Sequence, residues 1–229
     1  MHRLSIVVPV LDEAPGIAAA LDALGGYRRR GNEVLVVDGG SRDDTVALAR
    51  GRCDRLIAAS PGRAHQMNAG ARSASGDILL FLHADTRLPE GADALVSDAL
   101  SLPGSVWGRF DVRIDGRSRW FPVIAALMNF RSRRSGIATG DQAIFVRRDV
   151  FEAMGGFPGI ALMEDLALSR ALRRRARPVC LRARVRTSGR RWEKHGVFRT
   201  ILLMWRLRLA WWLGADPDRL ARRYVRHES

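Results

Sequence analysis

The chain has 229 residues, 47% of them hydrophobic and 27% charged, with two cysteines and a formal net charge of +14. This composition excludes a disordered or collagen-like chain and a disulfide scaffold, and the length supplies ample material for a core. Residues 1–165 hold 20 arginines against 20 acids, so the whole excess lies in 166–229, where 17 arginines and Lys194 face Glu193, Asp216, Asp218 and Glu228. A general nucleic-acid coat is disfavoured by that distribution, and a local interaction surface is favoured.

In chain order, Leu4–Val8 predicts a strand and about Pro15 to Leu24 a helix, with Pro15 in its first turn. The apolar N-terminal run is broken by Pro9 and met by Asp12 and Glu13, so it reads as a buried strand rather than a signal peptide. Val34–Val37 is a second strand and Asp43–Arg50 a helix capped by Ser41. Arg55–Ala58 is a third strand, Ala64 to Ser73 a helix, Asp77–Leu82 a fourth strand and Glu90–Leu100 a helix. Ile78 to Leu82 is apolar on both faces, as in a parallel sheet covered by helices. Val106–Ile114, Gln142–Val146 and Val179–Val185 follow as strands, with helices at Trp120–Phe130 and Asp165–Arg174 and two more in the tail, broken at Gly214 and Pro217. The alternation predicts a doubly wound α/β sheet, mixed but mostly parallel, with helices on both faces and a helical C-terminal tail.

Ligands of such sheets bind at the carboxyl ends of the strands. There the chain carries Asp12 and Glu13, then Asp38, then His83 and Asp85. Together these suit a cation or a hydroxyl-rich ligand; singly, each also reads as a turn or helix-cap residue. No P-loop is present, and Pro9 to Glu13 occupies the turn where a dinucleotide-binding glycine motif would stand. Cys53 and Cys180 read as buried thiols in a reducing, cytoplasmic compartment.

Ile6-Val7-Val8-Pro9-Val10-Leu11-Asp12-Glu13, Val36-Val37-Asp38-Gly39-Gly40-Ser41, His83-Ala84-Asp85, Gly155-Gly156-Phe157 and Met163-Glu164-Asp165 resemble, in order and spacing, the signatures of glycosyltransferase family 2. More narrowly, the length and Ser188-Gly189-Arg190-Arg191-Trp192-Glu193 resemble small stand-alone members found near radical-SAM, selenium or arsenosugar genes. The resemblance implies a GT-A fold in one domain, with 1–105 as the nucleotide-binding half, 106–195 as the acceptor half and 196–229 as a basic tail. It implies an inverting transferase that uses a nucleoside-diphosphate sugar, with a lean to UDP, and a small-molecule or lipid-linked acceptor. By the same resemblance Asp38 and Glu13 shape the base pocket and Arg63 lies beside the nucleotide. His83-Ala84-Asp85 stands where the family has Asp-x-Asp, which leaves Asp85 to ligate Mg²⁺ or Mn²⁺ at the diphosphate. A structural His83 at the strand end and a solvent-facing Arg63 are the competing readings. Asp165 is the expected base beside Glu164, in a helix N-terminus that favours a carboxylate. Asp141 would line the acceptor pocket, Arg191 would contact diphosphate, and Trp192 would offer a platform for a sugar ring.

The segment 197–213 carries Arg199, Arg206 and Arg208 among its apolar residues and is too short and too charged to span a bilayer. Its first reading is packing on the core, its second peripheral contact with the inner face of the membrane, its third nucleic acid. No nucleic-acid partner is expected, because carboxylates sit at the centre of the candidate site. The alternative to a transferase is a non-catalytic α/β module acting through the tail on nucleic acid or anionic membrane. A nucleotidyltransferase lacks its glycine- and lysine-rich loop here.

Overall fold

The computed structural model of the chain describes residues 2–228. One sheet of eight strands runs through it. At its centre β1 (Leu4–Val10), buried at every position, lies parallel to β2 (Glu33–Asp38) on one side and to β4 (Ile78–Phe81) on the other. Beyond β2 comes β3 (Arg55–Ala58); beyond β4 come β7 (Phe145–Arg147), β6 (Trp107–Asp115), β8 (Val179–Ser188) and the short β5 (Thr86–Arg87). The pairs β4–β7, β7–β6 and β8–β5 are antiparallel and the other four parallel, which is the mixed, mostly parallel sheet expected.

The alternation of side chains sorts the helices between the two faces. Ile6, Val8, Val34, Val36, Leu80 and Phe110 pack with α1 (Ala14–Arg29), α2 (Thr45–Ala49), α4 (Ala92–Ser101) and α5 (Phe121–Ser135). Val7, Leu35, Val37, Leu79 and Trp107 pack with α3 (Arg63–Ser73), α6 (Arg148–Ala153) and α7 (Glu164–Arg173). Each such aliphatic side chain contributes about 1.5–3 kcal/mol on burial.

Pro9, inside a central strand, is explained by the register. The Val7 carbonyl accepts from the Leu82 amide on the β4 side, and the Val10 carbonyl accepts from the Gly39 amide on the β2 side. Pro9, two residues past Val7, therefore faces the β4 side, where pairing has ended at Val7 and Phe81. From that point β1 and β4 diverge. The strand order reverses there, and the crevice between them is the position an open α/β sheet offers a ligand.

Three local expectations are corrected. Ser41 does not cap α2: its hydroxyl and amide go to Asp38, and the Thr45 amide donates instead to Asp43. The strand expected at Gln142–Val146 begins only at Phe145, because Gly140–Gln142 is a 3₁₀ turn ended by Ala143 at φ +47°. Cys53 and Cys180 are free but half-buried rather than buried. The tail forms α8 (Arg190–His195), α9 (Val197–Trp212) and α10 (Pro217–Glu228). Leu207 and Leu220 anchor it on Ile137, Met163 and Leu166. α9 packs on the core through the buried Thr200 and Leu207, with Val197, Ile201, Leu203, Met204, Ala210 and Trp211 partly buried against it. No helix among the described residues is long and apolar enough to cross a membrane.

Helix α3 sits on the sheet through Gly70, where a Cβ would press on Val7 and come within 2.9 Å of Val37. Gly70→Val should cost roughly 1–3 kcal/mol by overpacking, read as a lowered melting temperature. An unchanged melting temperature would mean that α3 does not depend on this contact.

Candidate functional site

Five segments converge at the rim where β1 and β4 part. The loop after β1 is laced to the loop after β2: Asp12 and Glu13 amides donate to Ser41 and Thr45 hydroxyls at 3.0 and 2.8 Å, and the Arg42 amide donates to Asp12. Buried Gln66 of α3 holds both strand ends, donating from Nε2 to the carbonyls of Val10 and Val37 at 2.7 and 2.8 Å. Asp38 is buried, and both its carboxylate oxygens accept from the Gly40–Ser41 turn at 2.5–3.2 Å. Its evident work is to shape that turn.

Glu13 lies within electrostatic reach of Asp85. Burial and then the Asp85 charge push the Glu13 carboxyl up, opposed by Arg190, whose Nη2 is 3.6 Å from it, and by Arg63. Asp85 is exposed, and its carbonyl accepts from the Ser188 amide, so β8 and α8 are tied to the end of β4. Arg190 was not singled out from the sequence, although it stands beside Arg191 in the same motif.

His83 turns inward. Its Nδ1 lies 3.4 Å from Asp141 Oδ1, and its ring lies over Gly140, where a Cβ would meet His83 Cε1 at 2.6 Å. His83 thus packs against the 140–142 turn. Partial burial would raise the Asp141 carboxyl, but the hydrogen bond and charge of His83, with Arg63 and Arg191, hold it down at about 2. The same turn fixes Asp165, whose Oδ2 accepts from the Gly140 amide at 2.7 Å while Oδ1 accepts from the Leu166 amide.

Glu164 is buried beside it. Burial first, then the Asp165 charge, pushes the Glu164 carboxyl up to about 7, with Arg63 pulling the other way. Desolvation works against the Arg63 cation, yet Glu164, Tyr224, Asp141 and Asp165 together raise its pKa above the ordinary value. That set of neighbours brings the first turn of α3, the 3₁₀ turn, α7 and α10 to one place. Arg191 of α8 donates to the Tyr224 hydroxyl and stacks on its ring at 5.2 Å. Tyr224 had no signal in the sequence beyond its place in a basic helix. Trp192 is half-buried, with part of its side chain packed against the core.

Among the described residues, three other than glycine take positive φ: Asp12 at +53°, Ala143 at +47° and Met163 at +70°. Each adjoins one of the three acidic segments, as conformations of this kind do where a site over-determines the backbone. As to metal, no group of three His, Cys, Asp or Glu side chains converges among the described residues. Asp85 with Glu13 forms a pair of oxygen donors, the set that suits a hard divalent ion completing its shell with phosphate oxygens and water.

The sequence profile described as glycosyl transferase family 2 matches residues 5–157. An uncharacterized glycosyltransferase of Mycobacterium tuberculosis is 32% identical over 184 residues, covering 74% of this chain and 69% of the relative. Among solved structures, a mannosyltransferase of Pyrobaculum calidifontis in complex with GDP-Man and Mn²⁺ superposes with a TM-score of 0.64 at 24% identity, covering 91% of this chain. Glucosyl-3-phosphoglycerate synthase of M. tuberculosis, with Mn²⁺, UDP and glucosyl-3-phosphoglycerate, gives a TM-score of 0.60 at 21% identity, covering 81% of this chain and 71% of that one. The chain spans 61% of the length of the Pyrobaculum enzyme.

Because Glu164 takes up a proton on folding, stability should fall as pH rises from about 4.5 to about 7, where the folded protein holds the proton more tightly than the unfolded chain. Glu164→Gln should flatten that stretch of the melting-temperature profile. Parallel profiles for the two proteins would remove Glu164 as the titrating group.

Proposed function

Since the chain belongs to glycosyltransferase family 2, we propose that it moves a sugar from a nucleoside-diphosphate sugar to an acceptor hydroxyl with inversion at the anomeric carbon. The observation that carries this reading is the convergence of Asp141, Glu164 and Asp165 with Arg63 at the parting of β1 and β4. From the tail, Arg190 of α8 reaches Glu13 and Arg191 of α8 reaches Tyr224 of α10, so the tail adds guanidinium groups to the same acids.

In this reading residues 1–105 bind the nucleotide and 106–195 bind the acceptor. Asp38, at the end of β2, has lone pairs beyond those used by its turn and accepts the imide N–H of a uracil, with Glu13 alongside. The lean to UDP rests on Asp38; the similar structures hold UDP in one case and GDP-Man in the other. Arg63 and Arg191 grip the diphosphate oxygens. A bound Mg²⁺ or Mn²⁺ ion, held by Asp85 with Glu13, supplies neutralisation of the charge on the departing diphosphate. His83 keeps Asp141 and the 140–142 turn in place. Asp165, held by two backbone amides, accepts the proton of the acceptor hydroxyl as that oxygen attacks the anomeric carbon. The bond to the diphosphate breaks on the opposite side, so one displacement inverts the centre and no second nucleophilic carboxylate is needed.

Asp165→Asn should lower the release of nucleoside diphosphate by roughly 10²–10⁴-fold in a variant that still melts cooperatively, the loss of one accepted amide costing stability but not the fold. Near-normal turnover would dismiss Asp165 as the base.

A second reading concerns where the acceptor lies. At about 100° per residue Phe198, Leu202, Trp205, Leu209 and Trp212 fall on one line of α9, opposite its buried residues, and all are exposed, Trp205 at 68%. Trp120, Val123, Leu127 and Phe130 form a like line on α5, Phe130 also at 68%. The two lines meet where the Trp120 and Phe198 rings touch, 5.4 Å between centroids. Arg199 and Arg206 flank the stripe on α9, and Arg119 and Arg170 lie over Trp120 and Trp212. This face, apolar with arginines at its border, suits the surface of an anionic membrane at its cytoplasmic side and a lipid-linked acceptor. The protein should float with vesicles containing anionic lipid and be released as salt rises, and Trp205→Glu combined with Leu127→Glu should abolish flotation. Equal flotation of the variant would set the membrane reading aside.

A further inference from the structure

Four arginines crowd together behind the acid cluster: Arg109 on β6, Arg131 and Arg133 on α5, and Arg208 on α9. One nearby carboxylate, Asp111, is already shared. Arg109 Nη1 donates to it, and Arg133 Nη2 reaches both its oxygens at 2.8 Å. Arg109 Nη2 has the Asn129 carbonyl as well, at 3.2 Å. Arg131 has nothing comparable. Its Nε and Nη2 are shut off from solvent without a hydrogen-bond partner, and so is Nε of Arg208. The hydroxyl of Ser132, next to Arg131, is buried and unpartnered too.

The charges around Arg131 explain why this arrangement is costly. Burial first, then the Arg208 charge, lowers its pKa to about 10, with Arg109 adding to the repulsion and Asp165 and Asp141 opposing it. Buried guanidinium donors without an anion are rare in folded proteins, because the lost hydration has no replacement. Two of them side by side, within reach of the proposed catalytic acid, mark a place that an anion completes.

Resting on the glycosyl-transfer reading, we propose that Arg131 and Arg208 receive a phosphate group of the acceptor, carried close to the hydroxyl that Asp165 deprotonates. The donor diphosphate has its own cations. Arg63 acts on Asp141, Glu164 and Asp165 from α3 and Arg191 on Asp141 from α8, while Arg131 acts on Asp141 and Asp165 from α5, with Arg208 beside it on α9. The acids thus draw on cations from two separate pairs of elements, enough for one pair to serve each substrate. A phosphate fits better than a carboxylate: one guanidinium fork satisfies a planar carboxylate, while two forks from different helices suit a tetrahedral group with three outward oxygens. Phosphate bound there would also relieve the repulsion between Arg131 and Arg208.

The test uses the full chain with saturating UDP and Mn²⁺ to fill the donor side, and inorganic phosphate as the probe at constant ionic strength. Phosphate should raise the melting temperature of the wild type and leave Arg131→Met and Arg208→Met unmoved. Without phosphate, at least one Met variant should melt above the wild type, since a buried unpaired charge has been removed. Phosphate stabilising the variants as much as the wild type would place the anion elsewhere and overturn the proposal, as would no stabilisation of the wild type. Failure of UDP to bind would instead count against the glycosyl-transfer reading. Turnover then separates the sources of phosphate: glycerol phosphate against glycerol in solution, and phosphatidylglycerol against a neutral glycerolipid in vesicles. In whichever pair is active, the phosphorylated acceptor should be preferred, and Arg131→Met should reduce that preference roughly 10–100-fold in kcat/KM while the donor KM stays constant. Arg131→Lys should restore part of it. No preference for phosphate in either pair overturns the proposal.

Discussion

A hydrogen bond of 2.7 Å from the Gly140 amide to Asp165 holds together parts of the chain that have no sheet contact with each other. It fixes the first turn of α7 against the turn that leads into β7, and so against the central strands. The geometry leaves little freedom at either end. Gly140 has to be a glycine because the His83 ring occupies the space of a Cβ, and Met163 takes a left-handed conformation so that α7 starts with its carboxylates toward the turn. His83 then restrains Asp141 in the same turn. Catalytic geometry of this kind is built from backbone amides and one imidazole rather than from flexible side chains, which favours preorganisation.

The cleft carries more acids than its immediate neighbours can balance, and this gives the tail its place. Arg190 reaches Glu13, and Arg191 reaches Tyr224 and acts on Asp141, both from the short helix α8. Without them, these acids would be left to Arg63, Arg131 and His83. The raised Glu164 carboxyl works in the same direction: burial first, and then the Asp165 charge, favours its neutral form, which removes one charge from the cluster.

Much of the fold was legible because its signals are local. β1 and β4 are buried on both faces, so each appears as an uninterrupted apolar run, and the strand–helix alternation followed from runs of that kind. Glu164 and Asp165 were legible through the motif around them. What escaped depended on partners distant in the chain. The pairing of His83 with Asp141 spans two loops; the partly buried Arg131 and Arg208 look in sequence like any arginine of an amphipathic helix. α9 shows most plainly why. Periodicity separates its apolar line from its arginines but does not say which line is covered, and the covered face proved to be the one with Thr200 and Leu207. Ser41 failed for a related reason: a serine before a helix is a cap only when no nearer carboxylate claims its hydroxyl, and Asp38 does.

The surplus of positive charge at the C-terminal end is therefore not a single property of a tail. Were it a solvated coat, its arginines would point outward and leave the α/β domain whole without them. Yet Arg190 and Arg191, though exposed, reach Glu13 and Tyr224, Arg208 is partly buried next to Arg131, and Arg199 and Arg206 border an exposed apolar line. Leu207 and Leu220 pin the same helices to Met163 and Leu166, the residues on either side of the Glu164–Asp165 pair. A helix that packs on both sides of the Glu164–Asp165 pair and places Arg208 beside Arg131 shapes that region as much as the strands do. The profile match ends at residue 157, and the carboxylate proposed as base lies just beyond it at Asp165, while Arg63 and Arg131, whose charges act on it, lie within the match, so the proposed site is drawn from both sides of that boundary.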